Sequence, residues 1–438
     1  MKKILGVLIL SFVAIVSCST KYKNMKSFET VWQTINDKHI DPTFGGLDWL
    51  EVHDRYQPQI AAAKNEEEFY LLVNKMLFEL NISHIAVIPP DDLGQIDPIL
   101  SAEGSIGIDV RMIEDNAVIT SVKSGSVGDQ AGLKSGYIIK SINGIDIEKI
   151  TDLKYIDDIK LQDIEQKKSV DWNILIPPYN ERNRKKNITG AILEKIYGPS
   201  DTSVSIEYVD EKGDSYLKKI VRAQRIGKMQ FDDALPPFFV EFESKLLENN
   251  IGYVWFNAFM PPVHNKFKDT IKSMQDTTAL IIDIRGNHGG FFDVRKAVAE
   301  TLVKDRVLFW RYQGIDKTQE AYLEPADSVY EGPVVVMVDQ LSASSAEEFS
   351  GGLKAIKRAT IVGERTPGVV VTANFKKLPN GATFVYPKAW TITADGTVLE
   401  GHGVVPDIEV ALDRNELLKG KDTQLEAAVD FLSKRTNK

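Results

Sequence analysis

The stretch Gly332–Phe349, GPVVVMVDQLSASSAEEF, joins two physically different halves. Val334 to Val338 form a short, continuous, mostly β-branched apolar run behind a Gly-Pro break, which predicts a strand buried on both faces of a parallel sheet. Ser342, Ser344 and Ser345 follow among small residues, ahead of the acidic pair Glu347–Glu348 and apolar Phe349, which predicts a helix N-terminus. A serine at such a strand-to-helix turn projects its hydroxyl at the sheet edge, where it can attack a carbonyl. The free N–H groups of the first helical turn can then hold an oxyanion. The same serines also suit plain helix caps, and local pattern leaves both roles open.

Two other stretches carry complementary chemistry. Arg285-Gly286-Asn287-His288-Gly289-Gly290 closes the apolar run Ala279–Ile284, and its adjacent glycines allow backbone to approach a ligand closely. Leu399-Glu400-Gly401-His402-Gly403, leading to Pro406-Asp407, sets a carboxylate among turn residues. With His84, His288 and His402 as candidate bases, the set is a serine, an oxyanion glycine and a spare carboxylate, the ingredients of acyl transfer. No His-x-x-x-His pair or acidic cluster has metal-ligand spacing, so neither a metal nor a cofactor is expected.

Three regions must position these groups, and together they predict an α/β (α+β) multidomain fold. In region 25–103, Phe28, Val31, Trp32, Ile35 and Ile40, then Phe69, Leu72, Val73, Met76, Leu77 and Leu80, sit near helical spacing. The second helix ends at Asn81, and Ile82-Ser83-His84 leads into the run Ile85–Ile88 and a Pro89-Pro90 stop. Region 104–225 reads as short strands with an insertion near 155–190, whose basic run Arg182 to Lys186 reads as a solvated loop. Region 235–412 alternates strands and helices: Ile251–Phe256, a helix over Phe267–Met274, Ala279–Ile284, a helix over Val294–Leu302, Val334–Val338 and Thr360–Gly363. That order predicts a parallel or mixed sheet with crossover helices. Ala382–Pro387 and Trp390–Ile392 read as a hairpin, and a helix over Gln424–Leu432 lies in the closing segment 413–438.

The chain has 438 residues, 43% hydrophobic and 26% charged, enough for two or three domains with real cores. A net charge of −9 argues against nucleic acid as a partner. Lys2 and Lys3 precede the apolar run Ile4–Val16, a signal peptide over 1–17 that is too short to span a bilayer. Cys18 is the only cysteine, which excludes disulfides. Ile15-Val16-Ser17-Cys18 resembles the bacterial lipoprotein lipobox, which implies cleavage before Cys18, lipidation of its thiol and a tether over 18–24. The implied location is extracytoplasmic and membrane-anchored, on the periplasmic face of an outer membrane or the cell surface, with Ser19 suiting outer-membrane sorting.

Two family resemblances follow. Ser126-Val127-Gly128-Asp129-Gln130-Ala131-Gly132-Leu133, continuing to Ile142-Asn143-Gly144, resembles a PDZ domain, with Tyr137 where the signature has aspartate. The resemblance implies a peptide added as an extra strand beside a carboxylate-binding loop, here Gly104, Ser105, Ile106 and Gly107. Over nearly the whole chain the order of motifs is similar to the tail-specific (C-terminal processing) peptidase and tricorn-core superfamily. Asp283–Gly290 matches its D-x-R-x-N-x-G-G, Ser342–Phe349 its S-A-S-x-x-E-x-F, and Gly363–Gly368 its G-E-x-T-x-G. The processing branch carries a lysine after that last glycine, but Val369 and Val370 stand here, and Lys376 and Lys377 would need a shifted register. The tricorn-like branch instead uses a Ser-His pair after the helical region, matched by Ser83-His84, and a glutamate before G-x-G-V-x-P-D, matched by Glu400.

The resemblance implies a ClpP/crotonase-like core and a serine peptidase in which Ser344 attacks and His84 is the base. Glu400 and Ser83 orient His84, while backbone N–H groups of Gly289 or Gly290 and of Ser345 hold the oxyanion. Its partner is a polypeptide substrate, presented or gated by the PDZ-like unit. The alternatives are a non-catalytic peptide- or ligand-binding protein on the same fold, and an acyl hydrolase acting on other substrates.

Overall fold

The computed structural model describes residues 2–90, 97–151, 181–229 and 237–436, with side chains at the N-terminus from Ser19 onward. The side chains of the signal segment and of Cys18, and most of the insertion near 155–190, lie outside the described residues.

A six-stranded sheet carries the chemistry-bearing turns. Its order is Phe242–Leu246, Ile251–Phe256, Ala279–Asp283, Val334–Val338, Thr360–Gly363 and Ile408–Glu409, parallel throughout except for the first pair. Every residue of the Ala279–Asp283 and Val334–Val338 strands is buried, because both sheet faces are covered. Leu280, Ile282, Val334, Val336 and Val338 pack with helices Pro261–Ser273, Phe292–Glu300 and Ser345–Ala355. Their alternates Ile281, Val335 and Met337 meet Ala428 and Leu432 of the Thr423–Thr436 helix. The two-residue side-chain alternation of a strand thus feeds two cores from one apolar run.

A second sheet brings in the N-terminal unit. Thr383–Thr393 is one eleven-residue strand rather than the expected hairpin. It pairs with Thr372–Lys377, Val307–Gln313 and Ala86–Ile88. Its partners on Thr372–Lys377 skip from Pro387 to Ala389, a bulge that lets a proline without an N–H sit inside a strand. Phe384 and Tyr386 join the core of the helices Lys2–Lys38, Trp49–Ala62 and Glu66–Phe78, with Phe28, Val31, Phe69 and Leu77. The Lys2–Lys38 helix runs through residues 19–24, so that part of the expected tether is helical. Asn24 is buried there, its Oδ1 accepting from Asn380 Nδ2 at 3.0 Å, a partner that local composition does not reveal. Among the described residues no helix is long and apolar enough to cross a membrane.

The PDZ-like unit is a sheet ordered Ile108–Ile113, Asn116–Val122, Ile138–Ile142, Ser203–Val209 and Ser215–Val221. The helix Glu181–Ile196 buries Ile188, Ile192, Leu193 and Ile196 in its core. The basic run 182–186 is therefore the first turns of a core helix, not a solvated loop. Its apolar residues at i, i+4, i+5 and i+8 set the helical face.

Candidate active site

Ser344 stands between the central strand Val334–Val338 and the helix Ser345–Ala355 with φ 55° and ψ −119°, a region that non-glycine residues rarely adopt. Fixed contacts hold this strained turn. Ser342 Oγ donates to Ile284 O at 2.8 Å, and Ala343 N–H donates to Asn287 O at 3.0 Å. Glu347, one turn into the helix and fully buried, accepts from Ser344 N–H at 3.2 Å and Thr366 Oγ1 at 2.6 Å. It also accepts from Gly368 N–H at 2.7 Å and Val369 N–H at 2.9 Å. Burial pushes the Glu347 carboxyl up to about 7 in spite of these donors, and the neighbouring Glu400 charge pushes the same way.

His84 also has positive φ, 54°, where the chain leaves the Glu66–Phe78 helix and enters the strand Ala86–Ile88. Pairing of that strand with Thr383–Val385 delivers Ser83 and His84 to Glu400. Ser83 N–H donates to Glu400 Oε1 at 2.8 Å, and Ser83 Oγ–H donates to Oε2 at 2.9 Å. Ser83 Oγ lies 2.8 Å from His84 Nδ1. Because the hydroxyl hydrogen is committed to the carboxylate, Ser83 Oγ accepts from Nδ1–H, and this network places the imidazole lone pair on Nε2. Burial pushes the His84 pKa down to about 4, and the positive charge of Lys186 adds to the effect.

Two successive peptide units connect the two arrays. Val369 N–H donates to Glu347, which holds Ser344, and the next N–H, Val370, donates to Glu400 at 2.7 Å, which holds Ser83. These two valines occupy the place where the resembled processing branch has its lysine. The valine side chains supply no base, and their backbone ties the two carboxylates together. Lys376 Nζ is instead engaged with Thr34 Oγ1 at 3.0 Å and Lys377 Nζ with Gly381 O at 3.3 Å, so a shifted lysine register finds no support.

The glycine pair lies against the serine. A Cβ on Gly289 would stand 2.8 Å from Ser344 Cβ, and one on Gly290 would stand 2.3 Å from Phe259 O, so both positions exclude a side chain. Gly289 N–H already donates to Asn287 Oδ1 at 2.9 Å. The N–H groups of Gly290 and Ser345 make no hydrogen bond among the described residues, and Ser345 Oγ pins Gly290 O at 2.8 Å. The other histidines sit elsewhere in the network. His288 Nδ1 is 2.7 Å from Asp97 Oδ2, and His402 Nδ1 is 2.9 Å from the carbonyl two residues before it, Glu400 O.

In the PDZ-like unit, Gly104 N–H donates to Gly198 O at 2.7 Å and Gly107 N–H to Ser105 Oγ at 3.0 Å, while the Ile106 side chain is fully buried. Two donors of the expected carboxylate loop are thus engaged internally.

Sequence reasoning missed Asn287, which is fully buried with Nδ2 donating to Phe256 O, and the tying role of Glu347. It also missed Arg182 and Lys186. The motif positions of Asn287 and Glu347 were visible, but their partners come from other elements. The two cations looked like surface charge.

Residues 250–410 match the family model for peptidase family S41, residues 21–78 that for the tricorn protease C1 domain, and residues 96–162 that for the PDZ domain. The chain is 22% identical over 412 residues to a carboxyl-terminal-processing protease of Synechocystis sp., covering 92% of this chain and 85% of that protein. It is 22% identical over 416 residues to a tricorn protease homolog of Streptomyces coelicolor, covering 92% of this chain and 32% of that one. Among solved structures it is similar to the photosystem II D1 C-terminal processing protease, with a TM-score of 0.54 and 19% identity over 90% of this chain and 96% of that one. At that identity the structural likeness concerns the fold alone.

Proposed function

We infer that this chain, which belongs to peptidase family S41 and is a serine-type hydrolase, cleaves peptide bonds through an acyl-enzyme on Ser344. The observation that carries this reading is the Glu400–Ser83–His84 relay, which leaves Nε2 of a desolvated, neutral imidazole as the proton acceptor. Ser344 Oγ attacks the scissile carbonyl as His84 Nε2 takes its proton. The tetrahedral oxyanion forms against Gly290 N–H and Ser345 N–H, which have no partner among the described residues. In comparable sites one such donor contributes about 3 kcal/mol. Collapse passes the proton from Nε2 to the leaving amine and breaks the C–N bond. Water then repeats the sequence on the ester and releases Ser344.

The test is fluorophosphonate labelling of the parent beside Ser344→Ala, His84→Ala and the pair Lys376→Ala/Lys377→Ala. The expected result is a labelled parent, no label on Ser344→Ala, a strong loss in His84→Ala and little change in the lysine pair. Loss confined to the lysine pair overturns the histidine mechanism.

The substrate is proposed to be the C-terminal part of a polypeptide, which the PDZ-like unit presents or gates, in line with the carboxyl-terminal-processing relatives. We also propose a lipid on Cys18 that holds the chain at an extracytoplasmic membrane surface, supported by the basic, apolar and Val16-Ser17-Cys18 succession. Cys18→Ser is then expected to move the protein from the membrane to the soluble fraction. Unchanged partitioning sinks the anchor.

A further inference from the structure

The Glu181–Ile196 helix belongs to the PDZ-like core, yet its first turns lie on the active-site loops. Arg182 Nε donates to Thr366 O at 3.1 Å, and its Nη2 donates to Gly401 O at 3.2 Å and His402 O at 3.1 Å. It thereby fastens the helix to the turn that feeds Glu347 and to the loop that carries Glu400. Lys186, four residues on and on the same helix face, stands close enough to His84, Asp97 and Glu347 to act on each through its charge.

Lys186 nevertheless makes no hydrogen bond or ion pair among the described residues. Its acidic neighbours are committed elsewhere. Both oxygens of Glu347 accept from Ser344, Thr366, Gly368 and Val369, while Asp97 takes His288 Nδ1 on one oxygen and Leu100 N–H on the other. Burial lowers the Lys186 pKa more than these two carboxylates raise it, so the ammonium lacks a sufficient counter-charge. An ammonium with no hydrogen-bond partner among the described residues fits a ligand that brings its own carboxylate.

We propose that Lys186 is a specificity-determining subsite whose ammonium receives a carboxylate of the bound peptide beside Ser344 and His84. The proposal deepens the peptidase reading and rests on it. The carboxylate is either the free C-terminus of the peptide or an acidic side chain near the scissile bond, and a set of peptides separates the two.

The experiment uses the full-length chain carrying Ser344→Ala, which keeps the peptide uncut. Fluorescein-labelled hexa-alanine is offered as the free acid and as the amide. The amide is also offered with glutamate or with glutamine at the fifth position. Fluorescence anisotropy gives each Kd. The free acid, or the glutamate peptide against its glutamine twin, is expected to bind about tenfold tighter, the size of one charge-assisted hydrogen bond. That preference should vanish with Lys186→Gln and with Lys186→Met, and survive in Lys186→Arg.

No preference for either carboxylate, including failure of all four peptides to bind, overturns the proposal. So does a preference that persists in both neutral variants, which would place the carboxylate elsewhere, for example at Gly104–Gly107. Fluorophosphonate labelling of the parent judges the peptidase reading separately. A labelled parent without a Lys186-dependent preference sinks the subsite alone. An unlabelled parent that keeps the preference sinks the peptidase reading and leaves a carboxylate-binding site.

Discussion

Two groups of opposite tendency, half-buried His84 and buried Glu347, set the pH response at the residue scale. His84, pushed down to about 4, is neutral and ready to accept a proton through mildly acidic pH. The labelling rate is therefore expected to hold its plateau to about pH 5.5, well below the usual imidazole midpoint. Removing the Lys186 charge makes protonation of His84 easier, so Lys186→Gln should move the acid limb to higher pH. An unmoved limb in that variant, read from the pH–rate profile, removes Lys186 as a cause of the shift. The same groups act on stability with opposite signs. Unfolded His84 takes up a proton that the folded site refuses, so its part of the stability falls as pH drops from 6.5 toward about 4. Glu347 binds its proton more tightly when folded. Its contribution is present below 4.5 and is lost as pH rises through about 7.

At the scale of elements, the junction between the PDZ-like sheet and the catalytic sheet turns on a buried ion pair. Arg111, on the strand Ile108–Ile113, donates through Nε to Asp339 Oδ2 at 2.7 Å and through Nη1 to Asp109 at 2.6 Å. Asp339 accepts from Gly286, Leu341 and Ser342 N–H groups, directly beneath the Ser344 turn. Its carboxyl pKa is lowered: burial works against the charge, but Arg111 and these donors outweigh it. Removing one partner leaves the other charge buried, so Arg111→Met should lower unfolding stability by about 3–5 kcal/mol in denaturant titration. A variant as stable as the parent would show that the junction is held elsewhere. The strand-to-helix turn at Ser344 was legible at this scale, because a buried apolar run followed by small and acidic residues allows few alternatives. The Thr383–Thr393 strand was not, because Pro387 reads locally as a break and only its bulged pairing shows otherwise.

At the scale of the whole molecule, three units contribute to the proposed site: the chain leaving the N-terminal helices carries His84, the core that matches the S41 family model carries Ser344 and Glu400, and the PDZ-like unit carries Arg182 and Lys186. The sequence by itself determined the class of fold, the order of the units, the serine turn, the glycine pair and the absence of a lysine after Gly368. These rest on local periodicity and short motifs, whose physics is complete within a few residues. Only the tertiary structure decided that Ser83 reaches Glu400 across 317 residues, and that Gly289 N–H is engaged while Gly290 N–H has no partner among the described residues. It alone also turned a basic run that looked like surface charge into a helix face on the active site. Hydrogen-bond partners and desolvation depend on which distant segments pack together, and neither is encoded in the spacing of neighbouring residues.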